Sequence, residues 1–292
     1  MALSMEKEEV AVESLTVAAT DGYALGATLF QPARPNGRAV QIHAAAGVKQ
    51  EYYAPFAAYL AERGFVALTF DYRGVGRSAP ADLKASPARM ADWALLDAPG
   101  ALAFLQGKFP QKRILIVGHS FGGQSVAVMP GNERVAAMLA VASQSCYWRL
   151  WNGVDRAGLW LLTRVLLPGA THPKGDFPRA LQRPGENLPA GVALEWARWC
   201  RHPRYLVGAL GLEAQAARFT APLRLIDIED DGVYAPPAAA RALLDLYPNA
   251  RKDLVLVTPR DAGAERIGHF GFFKERFRDT LWRGAVDWLE GR

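Results

Sequence analysis

Ser120 has the sequence surroundings of an activated nucleophile. It lies in Gly118-His119-Ser120-Phe121-Gly122, directly after an apolar, β-branched run and before a predicted helix. Glycines on both sides suit a chain that reverses sharply from strand into helix, because such a turn leaves no room for a Cβ atom. The turn would lift the serine hydroxyl above the sheet edge. The alternative interpretation is a glycine-rich turn without chemistry.

A serine hydroxyl attacks efficiently only when a base takes its proton. The chain has five histidines, of which only His269 follows the last predicted strand, on a loop before the final helix. The others lie in the serine turn, at a strand end and in the central segment: His119, His43, His172 and His202. The position of His269 brings an imidazole back over the serine, so we predict that it is the base. The alternative is a structural histidine.

An acid is expected on the turn that follows the seventh predicted strand, where the sequence has Asp230 and Asp231. A buried carboxylate there would hold the imidazole in the required tautomer and stabilise its charged form. We favour Asp231, which lies nearer the turn, and leave Asp230 as the alternative. The other aspartate would then be a solvated or turn-capping acid.

A negatively charged oxygen that develops during attack needs two aligned backbone N–H donors. We expect one from Phe121, the residue after the serine. The other is expected from the loop after the third predicted strand, where small side chains let the backbone approach a substrate, with Ala45 as first choice.

Periodicity predicts an α/β fold around these residues. Two early strands flank an Asp21-Gly22 turn and predict an antiparallel hairpin, and short apolar runs then alternate with helical stretches. Strands without polar alternation, separated by helices, indicate a mostly parallel sheet covered on both faces. The eight predicted strands are Val10–Ala19, Tyr23–Gln31, Arg38–His43, Phe65–Phe70, Arg113–Gly118, Arg134–Ser143, Pro222–Glu229 and Lys252–Thr258. The predicted helices are Tyr52–Arg63, Ala88–Gln106, one from Ser120, Ala238–Tyr247 and Phe272–Glu290.

The strand rhythm stops between residues 146 and 219. This segment has no strand-like run, and we predict a mostly helical cap inserted after strand six into a core of residues 1–145 and 220–292. Large aromatics in the segment are expected to bind substrate, with attachment of the cap to the core as the alternative: Trp148, Trp151, Trp160, Trp196 and Trp199. Its nine Arg and one Lys against five acids also suggest an anionic substrate.

Composition excludes several classes of protein. The net charge is +5, but the sequence contains no Lys/Arg-rich run, no zinc-ligand spacing and no aromatic-basic motif. This argues against nucleic-acid binding. No apolar run is long enough to span a membrane, and the N-terminus lacks the pattern of a secretory signal. Cys146 and Cys200, the two cysteines, are expected to be free thiols in a cytoplasmic protein. The expected partner is a small-molecule substrate, and the oligomeric state is open, a homodimer included.

With these residues assembled, the chain resembles the α/β-hydrolase superfamily across nearly its full length. It is most similar to a group of bacterial predicted hydrolases allied to the serine aminopeptidase and esterase/lipase branches. The matching motifs are Asp71–Ser78, Gly118–Gln124, the Asp230-Asp231 turn and Ile267–Phe273. The resemblance implies that the first motif is structural. The family usually has His-Gly after strand three, and this chain has His43-Ala44 instead.

The first interpretation of these residues is hydrolysis of a carboxylic ester of a small-to-medium hydrophobic substrate through an acyl-serine intermediate, with no cofactor and no metal. Serine at the turn argues against epoxide hydrolase or dehalogenase chemistry, which uses an aspartate there on the same layout. Thioesterase, aminopeptidase and acyltransferase activities remain open, because they differ only in pocket and leaving group. An alternative of another class is a binding protein on an inactive hydrolase scaffold.

Overall fold

A computed structural model describes residues 9–171, 176–177 and 185–292. Its strands are β1 Ala11–Ala18, β2 Ala24–Gln31, β3 Arg38–His43, β4 Val66–Phe70, β5 Arg113–His119, β6 Ala137–Val141, β7 Asp176–Phe177, β8 Leu188–Pro189, β9 Pro222–Ile228 and β10 Arg251–Val257. Its α-helices are α1 Ala54–Glu62, α2 Met90–Asp92, α3 Ala98–Lys108, α4 Phe121–Ser125, α5 Gly153–Leu161, α6 Leu167–Thr171, α7 Ala190–Trp199, α8 Tyr205–Leu210, α9 Glu213–Ala217, α10 Pro237–Leu244 and α11 Arg283–Glu290.

Eight strands form one sheet in the order β1-β2-β4-β3-β5-β6-β9-β10, which confirms the predicted fold. β2 pairs antiparallel with both β1 and β4, and the remaining pairs are parallel. Every residue of β4 and β6 is buried, whereas the two edge strands β1 and β10 are largely exposed. Continuous apolar runs therefore mark the covered centre of the sheet.

The predicted boundaries differ from the structure where the backbone leaves regular geometry. β6 ends two residues before the predicted Ser143, because Ala142 adopts a left-handed conformation at φ 47°. The predicted helix over Ala88–Gln106 is interrupted by a π-helical turn at Trp93–Asp97. A second π-helical turn, Arg278–Trp282, precedes α11 within the predicted final helix. Apolar periodicity does not distinguish such turns from a continuous α-helix.

The segment between β6 and β9 is largely helical and contains α5 to α9. The sequence of this segment has no strand-like run, yet β7 and β8 form a two-residue antiparallel ladder. Strands this short leave no alternation in the sequence. Residues 172–175 and 178–184, with His172, Lys174, Arg179 and Arg183 of the predicted cap, lie outside the described residues. In the part of the chain that is described, no helix is both long and apolar enough to cross a membrane.

Asp71 braces the turn that follows β3. Its carboxylate accepts hydrogen bonds from the backbone N–H of Gln50 at 2.8 Å and of Arg77 at 2.9 Å. A Cβ atom on Gly76 would lie 2.6 Å from the Asp71 Oδ2 atom, so glycine is required there. The Asp71–Ser78 motif thus fixes the short 3₁₀ turn Gln50–Tyr53. Both tyrosines of this turn, Tyr52 and Tyr53, reach the candidate active site.

Candidate active site

Ser120 occupies a sharp turn between β5 and α4. Its backbone has φ 50° and ψ −114°, a conformation that costs a non-glycine residue on the order of 1–3 kcal/mol. A Cβ atom on Gly118 would lie 2.5 Å from the Gly122 carbonyl carbon, and one on Gly122 would lie 2.2 Å from the His43 carbonyl oxygen. The two flanking glycines therefore follow from close backbone approach, as the sequence predicts.

His269 and Asp231 form a buried pair at the carboxyl edge of the sheet. The His269 Nδ1 atom lies 2.6 Å from the Asp231 Oδ2 atom. Burial raises the pKa of the Asp231 carboxyl and lowers the pKa of the His269 imidazole, because removal from water disfavours the charged form of each. The hydrogen bond fixes the ring so that its Nε2 edge is left for a second partner.

Asp230 holds the loop that carries His269. Its Oδ2 atom accepts the N–H of Ile267 at 3.0 Å, and its Oδ1 atom accepts the N–H of Gly268 at 2.9 Å. The second aspartate is therefore a capping acid, one of the two alternatives predicted, but it caps the loop of His269 rather than its own turn. The two neighbouring carboxylates have different partners: that of Asp231 contacts the His269 imidazole, and that of Asp230 contacts the backbone of the loop that carries this imidazole.

Aromatic rings enclose the His269 imidazole. Tyr234 stacks on it with ring centroids 4.7 Å apart, and Phe270 meets it edge-on at 4.8 Å. Tyr234 follows Asp231 by three residues, so the turn that supplies the carboxylate also supplies a face for the ring. No sequence-based prediction included this contact, although an aromatic residue three positions after the predicted acid was a usable signal.

Phe121 and Ala45 both line the cavity above Ser120, but only one is suited to donate an N–H there. Phe121 is the first residue of α4, whose N–H groups in the first turn have no acceptor within the helix. The N–H of Ala45 already donates to the Tyr53 hydroxyl oxygen at 2.8 Å. The prediction that Ala45 donates its N–H to the developing oxyanion is therefore corrected, because its single amide proton is bonded to the Tyr53 hydroxyl oxygen.

Tyr53 joins three loops of the site through one buried chain of hydrogen bonds. The His119 Nε2 atom lies 2.9 Å from the carbonyl oxygen of His269, and its Nδ1 atom lies 2.8 Å from the Tyr53 hydroxyl. A carbonyl oxygen only accepts, so His119 must donate from Nε2. Burial lowers the pKa of the His119 imidazole well below its usual range and keeps the ring neutral. Its Nδ1 then accepts from Tyr53, whose oxygen accepts from Ala45.

Tyr52 adds a second tie to the histidine loop, because its hydroxyl donates to the carbonyl oxygen of Phe270. Tyr52 thus binds the carbonyl group of Phe270 directly, and Tyr53 binds that of His269 through the His119 ring. From the sequence, His119 was expected in the turn at Ser120 without a role. No local sequence pattern distinguishes Tyr52 or Tyr53.

A cavity of about 190 Å³ lies above Ser120, between the sheet and the inserted segment. Its walls are mostly apolar, and Ser120 and His269 both reach it. The other lining residues are Ala45, Ala46, Met90, Phe121, Gln124, Gln144, Cys146, Leu162, Leu167, Gly185, Leu188, Val192, Ala193, Trp196, Tyr234 and Phe270. No Asp, Glu, Lys or Arg lines it within the described ranges.

Of the five tryptophans predicted to bind substrate, the described structure places only Trp196 on this cavity. Trp151 is buried and donates from Nε1 to the carbonyl oxygen of Val233 at 2.9 Å, and Trp199 is fully buried. Trp148 and Trp160 both contact the Arg164 guanidinium. For these four the prediction is corrected: Trp151 and Trp199 are buried by packing, whereas Trp148 is partly buried and Trp160 is 42% exposed beside the Arg164 guanidinium.

The family model described as "Alpha/beta hydrolase family" matches residues 42–280. The chain belongs to the alpha/beta hydrolase family. No curated protein matches it.

Solved structures share this hydrolase fold at low identity. An esterase domain from Rhodothermus marinus is 18% identical with a TM-score of 0.60, over 96% of this chain and 98% of that one. Est1E from Butyrivibrio proteoclasticus, bound to ferulic acid, is 15% identical with a TM-score of 0.61, over 94% and 97%. A hypothetical protein from Pseudomonas aeruginosa is 20% identical with a TM-score of 0.61, over 98% of each chain.

Proposed function

We propose that this alpha/beta hydrolase cleaves a carboxylic ester through an acyl-serine intermediate, with Ser120 as nucleophile, His269 as base and Asp231 as acid. The observation that carries the proposal is the 2.6 Å contact between His269 Nδ1 and Asp231 Oδ2 on the same cavity as a strained, glycine-flanked serine. A buried pair of this kind holds the His269 proton on Nδ1 and leaves Nε2 to accept the proton of the serine.

In the proposed reaction the Ser120 oxygen forms a bond to the ester carbonyl carbon while His269 Nε2 takes its proton. Asp231 stabilises the resulting imidazolium through Nδ1–H. The N–H of Phe121 donates to the carbonyl oxygen as it gains negative charge. The tetrahedral intermediate expels the alcohol, which takes the proton from His269. Water then attacks the acyl-serine, with His269 again as base, and releases the acid.

We propose further that residues 146–219 act as a cap over this site. Residues from α6, β8 and α7 line the cavity, among them Leu167, Leu188 and Val192. Lys49 of the core and Glu186 of the segment form an ion pair at 3.0 Å. A cytoplasmic location fits the free, buried thiols of Cys146 and Cys200.

A substrate panel tests the proposed reaction directly. We expect turnover of 4-nitrophenyl esters with short to medium acyl chains, and slower turnover of the matched thioesters and amino-acid amides. Faster thioester or amide cleavage would assign the same residues to another reaction. A binding protein on an inactive scaffold would turn over none of the three.

Neutral esters should be preferred over anionic ones of equal chain length, at low and at high ionic strength. The arginines of the inserted segment suggested the opposite, but none of those described lines the cavity, and three of them pair with acids: Arg198 with Glu195 at 3.2 Å, Arg204 with Glu213 at 3.0 Å and Arg218 with Glu133 at 2.7 Å. The measurement is kcat/KM for both esters at two salt concentrations. An anionic preference that fades with salt would contradict this expectation and would indicate a charged entrance.

Tyr53→Phe should lower kcat by about tenfold to a hundredfold while KM changes little. The change leaves the Ala45 N–H and the His119 Nδ1 atom without a partner, so the loops at Ser120 and His269 lose a common anchor. Tyr59→Phe is the matched control, because the Tyr59 hydroxyl contacts only the Arg63 guanidinium, at 3.3 Å. A fall in melting temperature with unchanged kcat would show that Tyr53 is structural only.

A further inference from the structure

Gln144 has an unusual position for a glutamine. It lies just beyond β6, its side chain lines the cavity, and the residue is only 5% exposed. Its Oε1 atom is buried without a hydrogen-bond partner. Six other buried side-chain atoms in the described part of the chain lack a partner, and none of their residues lines this cavity. A buried acceptor of this kind requires an explanation, since burial without a hydrogen bond is costly.

The backbone on both sides of Gln144 is held by hydrogen bonds. Ala142 takes its left-handed conformation while its N–H donates to the carbonyl oxygen of Ile226 at 2.9 Å. The N–H of Ser145 donates to the carbonyl oxygen of Ala239, also at 2.9 Å. A strained residue in a frame fixed on both sides is typical of functional sites.

Gln124, the second glutamine on the cavity, provides a contrast. Its Oε1 atom accepts from the Tyr205 hydroxyl at 2.9 Å, and its Nε2 atom lies 3.8 Å from the Cys146 sulfur. The protein therefore satisfies the Gln124 oxygen and leaves that of Gln144 open. Of the oxygens of these two glutamines, only that of Gln144 has no partner in the described protein.

We propose that Gln144 determines specificity by accepting a hydrogen bond from an uncharged O–H or N–H group on the buried chain of the substrate. This rests on the proposed ester hydrolysis and narrows the substrate to esters with a hydroxyl or amide in that chain. An ammonium group is disfavoured, because no carboxylate lines the described cavity to offset its desolvation. An aliphatic chain alone would bury beside Gln144 and leave its oxygen unpaired.

The test compares straight-chain 4-nitrophenyl esters with analogues that carry a hydroxyl or a primary amide on the acyl chain or, in alkyl esters, on the alcohol. The wild-type protein should prefer one substituted series over its parent. Gln144→Met, of similar size and apolar, should lower that ratio of kcat/KM values by about tenfold to a hundredfold while the parent ester is cleaved as fast or faster. Gln106→Met, on α3 and away from the cavity, is the matched control and should leave the ratio unchanged.

Calorimetric binding of hydroxylated and unsubstituted methyl ketones separates the two proposals, because it needs no turnover. A preference for hydroxylated ketones that Gln144→Met abolishes, without hydrolysis of any ester, would support the role of Gln144 and refute the proposed reaction. Hydrolysis with the same substituted-to-parent ratio in wild type and Gln144→Met would overturn the role of Gln144 and leave the reaction standing. Absence of any preference in the wild-type protein, in both assays, would also overturn it.

Discussion

Ser120→Ala should abolish labelling by a fluorophosphonate probe and lower kcat for ester hydrolysis by roughly 10⁴-fold or more. The wild-type protein should be labelled once. The physical reason is that no acyl-enzyme can form without the Ser120 oxygen, and the remaining site offers only orientation and electrostatic stabilisation to an attacking water. The measurement is the mass of the labelled protein together with steady-state turnover.

The variant is a clean test because alanine can occupy the same backbone position. Ser120 is 9% exposed, and only its hydroxyl oxygen is lost. Ser14→Ala, on the exposed edge strand β1, is the matched control and should be labelled and active like the wild type. Undiminished labelling of the Ser120 variant would refute the assignment of the nucleophile.

Asp231→Asn should keep the fold and KM but lower kcat by on the order of 10³ to 10⁴. The carboxylate accepts from His269 Nδ1 at 2.6 Å and would stabilise the imidazolium that forms when Ser120 attacks. An amide in its place removes that charge and can donate its own N–H to Nδ1, which favours the tautomer with its proton on Nε2. In that tautomer the imidazole cannot take the serine proton.

Asp230→Asn is the matched comparison, one residue away with the same change in charge. Both Asp230 oxygens accept a backbone N–H, and an asparagine offers only one oxygen for the two. We expect a melting temperature lower by about 2–4 °C and a loss in kcat of roughly tenfold or less, because the His269 loop is loosened but the imidazole keeps its acid. If Asp230→Asn cost more turnover than Asp231→Asn, the acid would be Asp230.

Local chemistry made much of this protein predictable from its sequence. Gly118 is required by a backbone contact with Gly122 inside the same short motif, so this motif was enough to predict the turn, although Gly122 itself is required by the distant carbonyl oxygen of His43. Buried strands such as β4 and β6 carry uninterrupted apolar runs, because both faces of a parallel sheet are covered. The order of strands and helices, and the place of His269 after the last strand, could be predicted from the same patterns.

Other features of the site depend on contacts between residues distant in the chain. For these the sequence left alternatives open or led to a wrong prediction. The direction of each carboxylate on the Asp230-Asp231 turn is set by the loop 38 residues further on, where one contacts backbone N–H groups and the other an imidazole. The N–H of Ala45 is engaged by a hydroxyl whose own orientation depends on His119, 66 residues from Tyr53.

The inserted segment, residues 146–219, shows most clearly that contacts distant in the chain decide the position of a side chain. Its five tryptophans are alike in sequence, and which of them meets the cavity is decided by how its helices pack on the core. Trp196 lies on the cavity, whereas Trp151 and Trp199 are buried and Trp160 is 42% exposed. Composition determined that this segment is aromatic and basic. Only tertiary packing decided that the cavity is apolar and uncharged in its described walls, because the orientation of a side chain is set by the neighbours that exclude water around it.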